Sequence, residues 1–128
     1  MPVWIIGVLL VAFGGVGLLT AGSDFSTEFF DGDVSGEVLL GIEANGWTNA
    51  LFVVNGALLI LASATTLSAR FVAAGVGLDF GAAAAVAFID GSDVVGVFAT
   101  NGATRIVWAA LALVLLMLAV VLPRTSTR

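Results

Sequence analysis

Residues 3–21 read VWIIGVLLVAFGGVGLLTA, an apolar run without a single charge. A helix needs about 20 mostly apolar residues to cross roughly 30 Å of hydrocarbon, so this run is long enough to span a membrane. Three further stretches meet the same test. Residues 48–67 carry Asn55 as their one strongly polar interior residue, residues 71–89 are rich in alanine and glycine and contain Asp79, and residues 103–122 end against Pro123. Proline has no backbone N–H to continue a helix and marks a stop there. The expectation is an all-α fold, an integral membrane four-helix bundle within residues 1–128. A second reading makes the first run a cleavable signal peptide cut near Thr20, Ala21 and Gly22. The positively charged n-region is missing, however, and the run exceeds a usual h-region.

Composition agrees with a lipid environment. Of 128 residues, 60% are hydrophobic and 10% charged, and mean hydropathy is +1.17, whereas soluble domains carry about 25% charged residues. The sequence has no cysteine or histidine, and its four basic residues are all arginine. The commonest general base, the commonest transition-metal ligand, the thiol nucleophile and the Schiff-base amine are therefore missing. No cofactor or metal is implied, and the expectation is a protein that is not an enzyme. With four arginines and no basic patch, a nucleic-acid partner is excluded.

The connections divide by charge. Residues 22–47 hold Asp24, Glu28, Asp31, Asp33, Glu37 and Glu43 without a basic residue, and residues 90–102 hold Asp90 and Asp93. Arg70 marks the tight second turn, while Arg124 and Arg128 lie in the tail. The positive-inside rule puts the Arg70 turn and the tail in the cytoplasm. Both termini of a plasma-membrane protein are then cytoplasmic, and the acidic connections face out.

The chain also looks internally repeated, with LGIEA-NGWTN at residues 40–49 echoed by VGVFA-T-NGATR at residues 95–105. Each copy closes an acidic connection and opens an even-numbered helix, which suggests two repeated helix pairs inserted the same way up. The alternative is that Asn and Thr recur because they cap helix N-termini. These motifs, together with the Gly7 to Gly17 pattern of the first helix, resemble the bacterial family called domain of unknown function 4383, over most of the chain. The resemblance implies a four-helix membrane fold and no established activity. It also implies a histidine a few residues into the second and fourth helices, where this chain has Phe52 and Trp108.

Asp79 is the sharpest functional candidate, because an acidic side chain at membrane depth costs about 2.5 to 3.5 kcal/mol on insertion scales. From the expected helix ends it and Asn55 lie at compatible depths, so a neutral Asp79 carboxyl would donate to the Asn55 amide oxygen. Such a pair would be a structural link between the second and third helices, or else the centre of a proton- or ion-coupled site. Arg105, at the outer start of the fourth helix, is expected to pair with Glu43, Asp90 or Asp93. Ala73, Gly77, Gly81 and Ala85 form a row suited to close helix packing. A second row, Gly75, Asp79, Ala83 and Ala87, is expected to turn Asp79 towards protein.

Other motifs give less. Asp31, Asp33, Ser35 and Gly36 match half of a calcium loop, but Ile42 stands where the bidentate glutamate belongs and Glu43 is one residue late. Trp4 and Trp47 lie at helix ends, where indoles anchor at the interface. Two functions follow as expectations: a non-catalytic accessory or scaffold protein, or a small oligomeric transporter or channel using Asp79 and Asn55. The expected partners are the lipid bilayer, a second copy of the chain or another membrane protein.

Overall fold

The computed structural model of the protein describes residues 2–20, 25, 37–90, 93–94 and 98–121. The elements run α1 (Pro2–Thr20), β1 (Glu37–Leu39), β2 (Ile42–Ala44), α2 (Gly46–Ala62), α3 (Thr66–Asp90), β3 (Asp93–Val94), β4 (Phe98–Ala99) and α4 (Gly102–Val121). The fold is the expected all-α bundle of four helices. Three of them, α1, α3 and α4, are long and apolar enough to cross a membrane, and α2 is shorter at 17 residues.

Local chemistry sets the helix boundaries. Pro2 opens α1, where its fixed φ suits a helix and its missing N–H would be an orphan in any case. Asn45 caps α2, its Oδ1 accepting from Thr48 N at 2.9 Å. At the other end of α2 the Ser63 N–H bonds back to Ile60 O at 3.2 Å, and the Ser63 hydroxyl bonds to Leu59 O at 2.7 Å. Thr65 then starts α3 by accepting from Ser68 N at 3.1 Å. The turn thus falls at residues 63–65, ahead of the expected Arg70, because Ser and Thr satisfy the orphan backbone groups there.

The connections ahead of α2 and α4 contain two short antiparallel hairpins, β1–β2 and β3–β4, in addition to the expected helices. In the first, Leu39 pairs with Ile42, so the turn is Leu40-Gly41, and both residues have positive φ, 54° and 83°. Such a type I′ turn matches strand twist but favours Asn-Gly. Leucine in this conformation costs about 1 kcal/mol, and its side chain is 85% exposed, so little burial offsets the cost. Leu40→Asn is therefore expected to raise the melting temperature in detergent by a few degrees. A lower melting temperature would mean that Leu40 contributes more through its apolar contacts than it costs in backbone strain.

Packing is pairwise. α1 lies along α2, α3 lies along α4, and the two pairs meet more lightly between α2 and α3. At the hairpin end the pairs cross-link: β2 touches α4, β4 touches α2, and the two strands touch each other. Phe52, Leu59, Phe80, Trp108 and Leu115 form the buried centre, with the Phe52 ring 5.4 Å from Phe13 and 6.0 Å from Phe80. At the opposite end, Arg70 Nε donates to Ala119 O at 2.7 Å, satisfying one of the carbonyls that a helix C-terminus leaves over.

The expected row on α3 is partly realised. Ala73 is fully buried, Gly77 faces Leu115 and Leu116, and Gly81 faces Ala112, but Ala85 is exposed. The residues of the half calcium motif, 31–36, and the arginine-bearing tail lie outside the described residues.

Candidate functional site

Asp79 and Asn55 line one groove between α2 and α3, about 650 Å³ in volume, together with Leu58, Phe71, Gly75 and Leu78. Asn55 is 4% exposed, and its Nδ2 donates to Leu51 O at 2.9 Å. Asp79 is exposed on the outer side of α3 and makes no hydrogen bond or ion pair among the described residues. The expected bond between the two is not formed, and Asp79 turns outward instead of towards protein. The cause lies in the helix ends. α2 stops at Ala62 and α3 starts at Thr66, each about five residues earlier than expected. At 1.5 Å per residue Asp79 is then roughly 20 Å above the start of α3, whereas Asn55 is roughly 10 Å above the end of α2.

The outer-interface candidates meet around Asn101. Asn101 Oδ1 accepts from Thr104 N at 3.0 Å and from Glu43 N at 3.3 Å, and its Nδ2 donates to Gly41 O at 3.1 Å. The Thr104 hydroxyl reaches Glu43 O at 2.7 Å. Arg105 Nε donates to Asn101 O at 3.2 Å, and its guanidinium lies 5.8 Å from the centroid of the Phe88 ring. Arg105 and Glu43 are thus brought to one junction around Asn101. The side chains of Asp90 and Asp93 lie outside the described residues.

Trp47 does more than sit at an interface. Its Nε1 donates to Phe25 O at 2.8 Å, and the two rings meet edge to face at 5.1 Å, which ties the first connection to the start of α2. Trp108 is fully buried, and its Nε1 has no hydrogen-bond partner among the described residues. The polar residues that the sequence reading treated only as caps, Asn45, Thr48, Asn101 and Thr104, are the ones that organise this end of the molecule. The long-range bonds of Asn101 and Thr104, between residues 58 to 61 apart, leave no local sequence signal.

A second groove, about 500 Å³ in volume, runs between α1 and α4 beneath the first hairpin and is lined by apolar residues including Leu9, Phe13, Leu40, Phe52 and Leu111. Among the described residues, no group of three or more Asp and Glu is placed to hold a metal ion.

The model of the family described as Domain of unknown function (DUF4383) matches residues 3–121. The chain belongs to that family. No curated protein and no solved structure matches the chain. The matched span reaches from the first turn of α1 to the end of α4, so it takes in both grooves and the Asn101 junction. This DUF4383 member has Phe52 and Trp108 in its buried centre, at the two places where the resemblance implied histidine. Aromatic packing fills those positions here, and neither side chain has the acid–base chemistry of an imidazole.

Proposed function

We infer that the chain is a non-catalytic protein of the plasma membrane that acts as an accessory or scaffold component through helix packing and its acidic outer face. The observation that carries this reading is the use made of the buried polar side chains. Asn45, Thr48 and Thr104 are each at most 2% exposed; Asn45 and Thr48 close the cap of α2, while Thr104, with Asn101, joins the entrance of α4 to the first hairpin. Polar groups spent on holding an outer platform together suit a protein whose output is a surface.

The orientation with both termini in the cytoplasm is supported by the Arg70 contact with the last turn of α4, since it sets Arg70 at the end of α4 that leads in sequence to Arg124 and Arg128. The two hairpins touch at the other side. Duplication is supported by the burial pattern. Thr48, Phe52, Gly56 and Leu59 on α2 are buried, and so are Thr104, Trp108, Ala112 and Leu115 on α4, at a constant offset. The cap geometry repeats as well, with Asn45 and Thr48 mirrored by Asn101 and Thr104.

A second reading, a small proton- or ion-coupled transporter, is favoured by one observation: Asp79 and Asn55 share a groove. Ion-flux and pH-gradient measurements on wild-type and Asp79→Asn protein in liposomes separate the two. The accessory reading expects no flux from either protein. Flux in the wild type that is lost in Asp79→Asn would overturn it and put the transporter in its place.

A further inference from the structure

The groove between α2 and α3 holds chemistry that neither helix packing nor capping uses. Its walls are apolar, and Leu58, Phe71 and Leu78 are exposed within it. Gly75 stands between Phe71 and Asp79 along α3, and a Cβ added there would meet nothing within 4 Å, so the middle of the groove is open. Two side chains bring oxygen to these walls. Asp79 falls at the middle of the Leu67–Ile89 span, and Asn55 Oδ1 accepts no hydrogen bond among the described residues. A carboxylate at this depth is costly until a positive charge or a donor meets it.

The arginines on the described helices stand elsewhere. Arg70 is engaged with Ala119 O, roughly 14 Å from Asp79 along α3. Arg105 lies over the Phe88 ring, which is about as far from Asp79 in the other direction. We propose that this groove binds a lipophilic cation, an amine or onium group carried on an apolar body, with Asp79 as its counter-ion. Charge complementarity selects a cation, and depth selects its body. A metal ion would need about six oxygen ligands close together, whereas Asp79 and Asn55 stand roughly 10 Å apart in depth. The headgroup amines of bilayer lipids stay at the interface, roughly 15 Å from the midplane. A cation on an apolar body crosses that distance and meets the carboxylate away from bulk water, where the pair is stronger. Phe71 adds an aromatic face that attracts positive charge, and about 650 Å³ is the size of a small-molecule pocket. This inference goes beyond the accessory reading and does not depend on it.

Tetraphenylphosphonium and tetraphenylborate test this directly, since they are alike in shape and apolarity and opposite in charge. Equilibrium dialysis against the full chain in detergent micelles, with protein-free micelles as the background, is expected to show saturable binding of the phosphonium and none of the borate. Asp79→Asn is expected to weaken phosphonium binding about tenfold, a modest share of what a charge pair is worth outside bulk water. Asp79→Glu, which keeps the charge, is expected to restore most of it. Gly75→Leu leaves the carboxylate in place but fills the groove, and it is expected to weaken binding to a similar degree in a chain whose fold has room for the side chain. Equal uptake of both probes would reduce the site to apolar partitioning and overturn the proposal. Phosphonium binding unchanged in Asp79→Asn would overturn it as well. Absence of saturable phosphonium binding in the wild type would also overturn it, while leaving the accessory reading standing. Binding without phosphonium flux in liposomes supports both the proposal and that reading; binding with Asp79-dependent flux supports the proposal and replaces the accessory reading with the transporter.

Discussion

Gly14→Ala is expected to destabilise the protein by about 3 kcal/mol, while Gly15→Ala, one residue along, is expected to stabilise it by up to about 1 kcal/mol. The difference comes from what the first side-chain carbon meets. At Gly14 an added Cβ would stand 2.5 Å from Asn49 O and 2.8 Å from Val53 Cγ2, whereas at Gly15 it would meet nothing within 4 Å. A backbone carbonyl cannot swing aside, so α1 and α2 would have to separate along their length, an overpacking strain at the upper end of the usual range. Gly7 and Gly56 repeat the arrangement nearer the other end of the pair, with Cβ positions 2.8 and 2.7 Å from each other's carbonyl oxygens, so Gly56→Ala should resemble Gly14→Ala. At Gly15 only the intrinsic advantage of alanine in a helix remains. Equilibrium unfolding in mixed micelles with rising dodecyl sulfate gives both values. Equal effects of the two substitutions would show that the close approach of α1 to α2 is not what holds that pair.

Why this was not legible in advance bears on how membrane sequences are read. The four helices could be found because length and apolarity are properties of a single segment. Direction is another matter. In water a helix announces its inner face by being apolar there and polar elsewhere. In hydrocarbon both faces are apolar, and the binary signal disappears. On α3, alanine and glycine surround the helix, so nothing in the spacing distinguished the row containing Asp79 from the row containing Gly77. The structure buries Ala73 and Gly77 and leaves Gly75 and Asp79 outside. The depths of Asp79 and Asn55 differ from those the apolar runs imply for a related reason. An apolar run goes on through Leu67, but Ser63 and Thr65 end one helix and start the next by hydrogen bonding, which hydropathy does not register. Small residues at lipid-buried contacts were anticipated on α3, where Gly77 and Gly81 do meet α4. The tighter case in α1 was read only as part of a family pattern.

The Asn101 junction shows the same limit from the polar side, and it carries the second large effect. Asn101→Ala is expected to cost about 2 to 3 kcal/mol. As a cap alone, the loss of the bond to Thr104 N would cost about 1 kcal/mol. Asn101 also accepts from Glu43 N at 3.3 Å and donates to Gly41 O at 3.1 Å. The substitution therefore removes a long-range bond to each of two hairpin residues, and the half-buried Glu43 N–H is left to find another acceptor. The sequence made the cap visible, since Asn followed three residues later by Thr opens both even-numbered helices, but not the reach from residue 101 to residue 43. Asn101→Asp separates the two roles. A carboxylate keeps the cap and favours the helix N-terminus, but it cannot donate to Gly41 O, so its loss should be smaller. Amide hydrogen exchange distinguishes the contributions residue by residue. Asn101→Ala should speed exchange at Thr104 and across residues 37–44 together, because one side chain holds both. Faster exchange at Thr104 with an unchanged hairpin would show that the first hairpin stands without α4 and that the two helix pairs are joined elsewhere. The scaffold reading needs the opposite result. An outer platform shared by the two pairs must loosen as a unit when the residue that joins them is cut back to a methyl group.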